Sequence, residues 1–355
     1  MSESNTQFEN RKRDHIRIAL DPRSQTEGQT GLDSIELIHE ALPDLNFKEV
    51  DISTSFSFSK GMSSQTLSLS SPIFISSMTA GHEHGREINM ALARLSDRRQ
   101  ILMGVGSQRR ELNDTNAAEE WTQVRKVAPK ARLLGNIGIA QLIKTPLDGI
   151  RRLVDATEAV ALFVHVNPLQ EVLQPEGTTD FKNSLQAIEN LVKFAEVPVI
   201  VKEVGCGFST STLKRLEGTG IAAVDVAGKG GTHWGRVEGY RSEETEMLYH
   251  AAQTYANWGI STVESLLNAE EARVSFEIWA SGGVRTGLDV AKLCALGAKK
   301  VGIAKPFLEA ALSEAQDADM ALENLLNRLE TELKIALFCT GSKTIAELAT
   351  KKVIR

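Results

Sequence analysis

The chain lacks an excess of positive charge: 40 Lys and Arg stand against 46 Asp and Glu, a net charge of −6. Without a global basic field, nucleic acid is excluded as an expected partner, and an anionic ligand has to be held by local basic groups. No apolar run approaches the ~20 residues that a membrane helix needs. The opening stretch, MSESNTQFENRKRDH, has no apolar centre of the kind a secretory signal carries. Cysteine is scarce: Cys206, Cys294 and Cys339 lie far apart with no CxxC pair. That usage fits a reducing cytoplasm and argues against a structural zinc site.

What is present is ordinary for a soluble globular protein, with 42% hydrophobic and 24% charged residues. The 355 residues accommodate two average domains, or one α/β barrel of ~250 residues with extensions. Residues 1–70 are polar and rich in Ser, Thr and Asp; within them SFSFSKGMSSQTLSLS alternates, predicting an exposed hairpin closed near Lys60-Gly61. From Pro72 onward, eight short apolar runs recur, at 72–77, 101–105, 132–138, 159–166, 198–204, 221–227, 276–280 and 299–304. Segments of helical pattern separate most of them, which implies parallel βαβ units. Eight units predict a closed (β/α)8 TIM barrel, with an open doubly wound sheet as the alternative. The expected organisation is a single domain: an extension at 1–70 that contributes to the substrate site, and a barrel with C-terminal helices at 71–355. Two connections, Glu176 to Asn183 and Gly228 to about Ile260, are long enough to be lids or binding loops.

Catalytic and ligand-binding groups of such barrels collect at the carboxyl ends of the strands. The densest end is 159–177, AVALFVHVNPLQEVLQPEG, where an apolar run breaks into His165, Asn167, Gln170, Glu171, Gln174 and Glu176. The last two units read SGGVRTGLDVAKLCALGAKKVGIAKP: strand, glycine turn, helix, strand. Gly282 and Gly283 let backbone N–H groups approach a phosphate, with a helix N-terminus behind them. This resembles the phosphate-binding end of flavin barrels. Each candidate also has a structural reading. Arg11-Lys12-Arg13 suits a solvated chain start, His165 a core histidine, Glu171 a helix cap, and Lys202-Glu203 an ion pair in the barrel mouth. Cys206 has no His or Asn assigned to activate it. The four tryptophans read as packing groups, Trp234 in the strand-six connection being the exception.

Taken together, RKRDHI at 11–16, MTAG at 78–81, GSQRR at 106–110, HVNPLQEVLQPEG at 165–177, VKEVGCG at 201–207, DVAGKGGTHW at 225–234 and ASGGVRTGLDVAKLCALGA at 280–298 resemble the type 2 isopentenyl-diphosphate delta-isomerases, from Arg11 to about Pro306. One departure is Ala80, where that family usually has glycine; a methyl group is a small change to backbone approach. The resemblance implies FMN, Mg2+ and flavin reduction by NADPH, with isopentenyl and dimethylallyl diphosphate interconverted without net redox change. It implies FMN contacts at Met78, Thr79, Ala80, Ser107, Asn136, Lys202, Thr232, Gly283, Val284, Arg285, Ala304 and Lys305. Substrate contacts are implied at Arg11, Lys12, Ser107, Gln108, Arg109, His165, Asn167 and Gln170, and Mg2+ coordination by Glu171. A homo-oligomer, tetramer or octamer, is implied as well.

The residue types suit that chemistry. Moving a double bond adds a proton at one carbon and removes one at another, through a transition state of carbocation character that needs electrostatic stabilisation. A neutral amide barely protonates, so Gln170 is expected to orient the alkene or relay a proton while reduced FMN acts as acid and base. Glu171 is a hard oxygen ligand suited to Mg2+ bridging diphosphate oxygens. Arg11, Lys12, Arg109, His15 and His165 would neutralise the remaining charge. Two rivals stand beside this reading. One is an FMN-dependent oxidoreductase of the hydroxyacid-oxidase or nucleotide-dehydrogenase class, which needs a catalytic His paired with an Asp together with an Arg for a carboxylate, or else a Cys nucleophile in a mobile loop. The other is a non-catalytic flavin- or phosphate-binding barrel.

Overall fold

Successive residues of a strand face opposite sides of its sheet, and a closed parallel barrel buries both sides. Uninterrupted apolar runs are the consequence, and each of the eight runs is a barrel strand. The computed structural model describes residues 5–355 apart from 27, 61, 62, 79–82, 113 and 316, and excludes the side chains of 5–11, 59, 60, 63, 64, 83, 84, 115 and 116. The strands are β1 (Ile73–Ile75), β2 (Leu102–Gly104), β3 (Arg132–Gly138), β4 (Ala161–His165), β5 (Val199–Lys202), β6 (Ala223–Asp225), β7 (Glu277–Ser281) and β8 (Lys300–Ile303). They pair in parallel in sequence order, and β8 closes on β1. All eight carboxyl ends therefore share one rim.

The alternation is visible in β1: Ile73 and Ile75 pack outward with the helices, whereas Phe74 points into the barrel. Its ring lies 5.3 Å from that of Trp279 and 6.3 Å from that of Phe163. These rings, with Leu102, Leu134, Ile200 and Ala223, fill the lower interior.

The predicted hairpin forms, with Thr54–Lys60 antiparallel to Ser63–Leu69. Its turn lies on residues 61 and 62, outside the described residues. It is not an exposed appendage. Phe56 (0% exposed) and Leu69 (3%) face inward, while Ser57, Thr66 and Ser68 face solvent. Phe56 stacks edge-on against Trp279 at 5.1 Å. The buried Lys300 ammonium donates to the Ser55 carbonyl at 2.7 Å, tying the hairpin to the barrel floor.

The rest of the N-terminal extension reaches the opposite end. Helix α1 (Asn5–Leu20) lies at the open rim, latched by Lys305 Nζ donating to the Leu20 carbonyl at 3.1 Å. Glu36–Leu37 then pairs with Val353–Ile354 near the carboxyl terminus. Of the two long connections, Glu176 to Asn183 carries no helix and runs between α2 (Pro168–Leu173) and the helix Ser184–Phe194, whereas the one after β6 carries α3 (Trp234–Gly239) ahead of Met247–Thr254. The long C-terminal helix, α4 (Ala318–Cys339), is capped by Asp317 and buries Leu322, Leu326, Leu329, Leu333 and Leu337 at three- and four-residue spacing. Among the described residues no helix is long and apolar enough to cross a membrane.

Phe56→Ala should lower the unfolding free energy by about 3–5 kcal/mol, the usual cost of emptying a buried aromatic site. Urea unfolding measures it; a loss below about 1 kcal/mol would mean the hairpin is only a surface appendage.

Candidate active site

The strand ends open into a cavity with about 1200 Å3 of empty space, part of it open to solvent. Its wall brings together Lys12 from α1, Met78 after β1, Ser107 and Arg109 after β2, and Asn136 on β3. His165, Asn167, Gln170 and Glu171 follow from β4 and α2, and Lys202 from β5. Thr232 comes from the strand-six connection, Gly283, Val284 and Arg285 follow β7, and Ala304 and Lys305 follow β8. Thr79, Ala80 and the Arg11 side chain lie outside the described residues. Gln108 is not brought to the wall. It is fully buried, donating to the Leu153 carbonyl at 3.2 Å and accepting from the Asn136 N–H at 3.0 Å, so its amide braces β3 from behind.

The glycine turn after β7 has the geometry a close backbone approach requires. Gly282 and Gly283 have φ of 101° and 81°, and a Cβ on either would collide with Gly228, Gly230 or Thr30. The following helix, Gly287–Ala295, is not an open positive end. Thr286 and Asp289 form a capping box, and Asp289 also accepts from the Arg285 N–H at 3.0 Å. The glycine turn and the side chains of Arg285 and Lys305 line the cavity at this rim.

Lys202 and Glu203 do not pair with each other, because adjacent strand residues point to opposite faces. Lys202 turns into the barrel mouth, 2.5 Å from Asp225 Oδ2 and 3.1 Å from Ser281 Oγ. Glu203 turns away and accepts the backbone N–H of Val204 at 2.6 Å and of Cys206 at 2.5 Å. Burial raises its carboxyl to about 7 despite those donors. The Cys206 thiol is pushed up by burial and then by Glu203. Its sulfur lies 3.9 Å from His233 Nε2, whose nitrogen is already engaged with the Trp258 carbonyl at 2.9 Å.

Asn136 donates to the Val105 carbonyl, which turns its own oxygen toward His165 Nδ1, 2.8 Å away. Burial, with Lys12 and Lys202 next, lowers His165 to about 3. In place of the cation expected from sequence it is a neutral imidazole, protonated on Nδ1. Glu171 is buried, accepting from Asn167 Nδ2 at 3.2 Å and from the Thr178 N–H at 2.5 Å.

Gln170 is held at both ends of its amide: Oε1 accepts from Asn167 at 3.0 Å and Nε2 donates to Glu238 at 2.8 Å. Glu238 is fully buried, with His15 Nε2 3.0 Å and Arg241 Nη1 2.5 Å from its oxygens. Burial alone would raise this carboxyl, but His15, Arg241 and Gln170 override it and hold Glu238 at about 2. Arg241 reaches on to Glu176 at 2.8 Å. Trp234 lines the cavity edge-on to His15, ring centroids 5.2 Å apart. Glu238, Arg241, Ser77 and Gln141 were not among the expected site residues. The available signal was the Trp234–Glu238 spacing, one helical turn in a connection already marked as long.

Three buried atoms on this wall, His15 Nε2, Ser77 Oγ and Asn167 Oδ1, have no hydrogen-bond partner, His15 Nε2 lying 3.0 Å from Glu238 without hydrogen-bond geometry. Such an orphan costs about 1–3 kcal/mol, and a bound polar group would satisfy it. The wall therefore fits a polar ligand. Among the described residues no three His, Cys, Asp or Glu cluster to form a metal cage. Glu171 alone suits Mg2+, which keeps waters and borrows phosphate oxygens.

Residues 149–355 match the family model for FMN-dependent dehydrogenases. A Bdellovibrio bacteriovorus protein named isopentenyl-diphosphate delta-isomerase is 77% identical, covering 100% of both chains. Proteins of the same name from Legionella pneumophila and Halobacterium salinarum are 51% and 42% identical, covering 99% and 98% of this chain and 99% and 93% of theirs. Solved structures share the fold at low identity. A flavocytochrome b2 variant with pyruvate bound gives a TM-score of 0.65 at 19% identity, covering 98% of this chain and 83% of that one. A mandelate oxidase variant with 2-hydroxy-phenylacetamide gives 0.63 at 17%, covering 99% and 98%.

The unfolded Glu203 carboxyl has the ordinary value of 4.5 and the folded one about 7, so the folded state holds the extra proton. Stability linked to this group is complete below 4.5 and is lost as pH rises toward 7. Glu203→Gln abolishes that loss. Its Tm relative to the parent should rise between about pH 5 and pH 8; a constant difference across the range would contradict the assignment.

Proposed function

The chain belongs to the FMN-dependent, type 2 isopentenyl-diphosphate delta-isomerases, and on that premise we propose how its residues divide the work. The observation that supports the proposal is that, apart from Gln108, the described members of the expected flavin and substrate sets, with Glu171, line one cavity.

Met78, Asn136, Lys202 and Thr232 would hold the flavin, with Gly283, Val284, Arg285 and Lys305 at its phosphate; Thr79 and Ala80 join them by resemblance. When bound and reduced, in our reading by NADPH, FMN supplies an electron-rich ring and a proton carrier at N5 or N1. Glu171 would hold Mg2+ against the diphosphate oxygens, its other neighbours being the Asn167 amide and the Thr178 N–H. Lys12 and Arg109, with Arg11 by resemblance, neutralise the diphosphate, and Ser107 donates to it; Asn167, whose amide nitrogen already donates to Gln170 and Glu171, presents its Oδ1 to the ligand as an acceptor. His165, held neutral by burial with its Nδ1 proton committed to Asn136, presents an Nε2 that accepts, and brings no charge.

Gln170 lies between the metal ligand and the Glu238 carboxylate. Because Glu238 stays ionised and accepts only, it fixes the Gln170 amide with its nitrogen toward the strand-six helix. An amide so clamped orients an alkene without contributing an ionised group of its own. Glu238 and His15 then form a polar chain behind it, closed from water by α1 and Trp234. The buried anion also favours positive charge developing nearby.

The oxidoreductase alternative finds less support. Among the described residues on the cavity wall, His165 pairs with an amide, and His15 pairs with Glu238 from the first-helix side. The Cys206 thiol is held protonated. The proposal includes a homo-oligomer, tetramer or octamer, supported by the exposed Leu42, Met247 and Trp258 side chains. It also includes a reducing cytoplasmic setting, supported by three free cysteines.

Glu171→Gln should reduce Mg2+-dependent isomerisation on the order of 100-fold, while the flavin absorbance of the purified protein is kept. Unchanged turnover would remove Glu171 from the site.

A further inference from the structure

We propose that Gln25, a residue of the N-terminal extension, is a positioning residue for the phosphate end of the cofactor. The proposal rests on the reading that Thr232, Arg285 and the glycine turn take that phosphate.

Gln25 is buried at 4% exposure and paired through its backbone with Thr232, in an isolated antiparallel bridge. Its side chain joins the loops that follow two neighbouring strands, β6 and β7. Oε1 accepts from Arg285 Nη2 at 3.0 Å, and Nε2 donates to Thr232 Oγ1 at 3.0 Å. The same nitrogen lies 3.0 Å from the Ala19 carbonyl and from Ser24 Oγ in the extension, its two hydrogens shared among the three acceptors. The neighbouring residues back the cradle. Thr26 Oγ1 accepts the Gly230 N–H at 2.9 Å and donates to the Gly231 carbonyl at 3.1 Å. The Thr30 methyl occupies the space where a Cβ on Gly230 or Gly283 would stand.

The chemistry explains why an amide occupies this position. A guanidinium that must meet a phosphate gains from being held in one arrangement before binding, because less rotamer freedom is then lost. A carboxylate could hold it, but would neutralise the charge the phosphate needs. A glutamine carbonyl accepts the hydrogen bond and leaves Arg285 cationic, while its nitrogen turns the Thr232 hydroxyl. Riboflavin, which lacks the phosphate, should not sense this arrangement.

The test titrates apoprotein with FMN and, separately, with riboflavin, following quenching of flavin fluorescence. The parent protein should bind FMN more tightly than riboflavin; if it does not, the phosphate reading itself fails. Given that preference, Gln25→Ala should weaken FMN binding ~10-fold, as for loss of a hydrogen bond to a charged group. Riboflavin binding should stay within about twofold. Gln25→Glu preserves side-chain size and serves if the alanine variant does not fold; it should weaken FMN more, again sparing riboflavin. Equal weakening of both flavins would show a merely structural role and overturn the proposal, as would unchanged FMN affinity in either variant.

Discussion

The interior of an eight-stranded parallel barrel is just wide enough to be filled by side chains, so whichever end is left unfilled becomes the site. Here Trp279, Phe74, Phe163 and the hairpin's Phe56 fill the floor. Asn136, Lys202 and Ser281, nearer the carboxyl ends, carry polar groups into the mouth. The N-terminal extension serves both ends of this division. Its hairpin plugs the floor, and α1 with the Gln25 turn builds on the rim. Removing the plug would disturb packing, whereas removing the rim segment would take away Lys12, His15 and the brace behind Arg285.

Electrostatics at the mouth is organised by buried pairs and not by net charge. A chain carrying −6 overall sets Lys202 against Asp225 and Arg241 against Glu238. A buried pair gains little stability once desolvation is counted, but breaking one leaves an uncompensated charge. These pairs are better read as fixing orientation. Asp225 and Ser281 set the direction of Lys202, and Glu238 sets that of Gln170. Lys12, Arg109, Arg285 and Lys305 also line the cavity, and in the proposed reading they meet the anionic ligands.

The barrel was legible because burial on both faces leaves an apolar run for every strand. The strand ends were legible because small, polar and basic residues follow each run. What was not legible follows from geometry that spacing does not encode. SFSFS in the hairpin looks solvent-facing, since serines alternate with phenylalanines, yet Phe56 fits beneath Trp279. Lys202 and Glu203 are adjacent in sequence and opposite in space. Gln108 sits within a motif of cavity residues, but its amide points into the wall. Glu238 and Arg241 come from a connection without strong periodicity, and only its folding onto α2 brings them to Gln170. His165 is recognisable as a site residue, but its neutral state depends on burial that spacing cannot report.

The central claim, that the barrel moves a double bond and does not carry out net oxidation, is tested most directly by stoichiometry. Purified protein is incubated without oxygen in isopentenyl diphosphate, Mg2+, FMN and NADPH, and dimethylallyl diphosphate and NADPH are followed together. The account predicts many product molecules per NADPH consumed, the reductant being needed only to reduce the flavin. Steady NADPH consumption in step with substrate loss, or no dimethylallyl diphosphate at all, would contradict it.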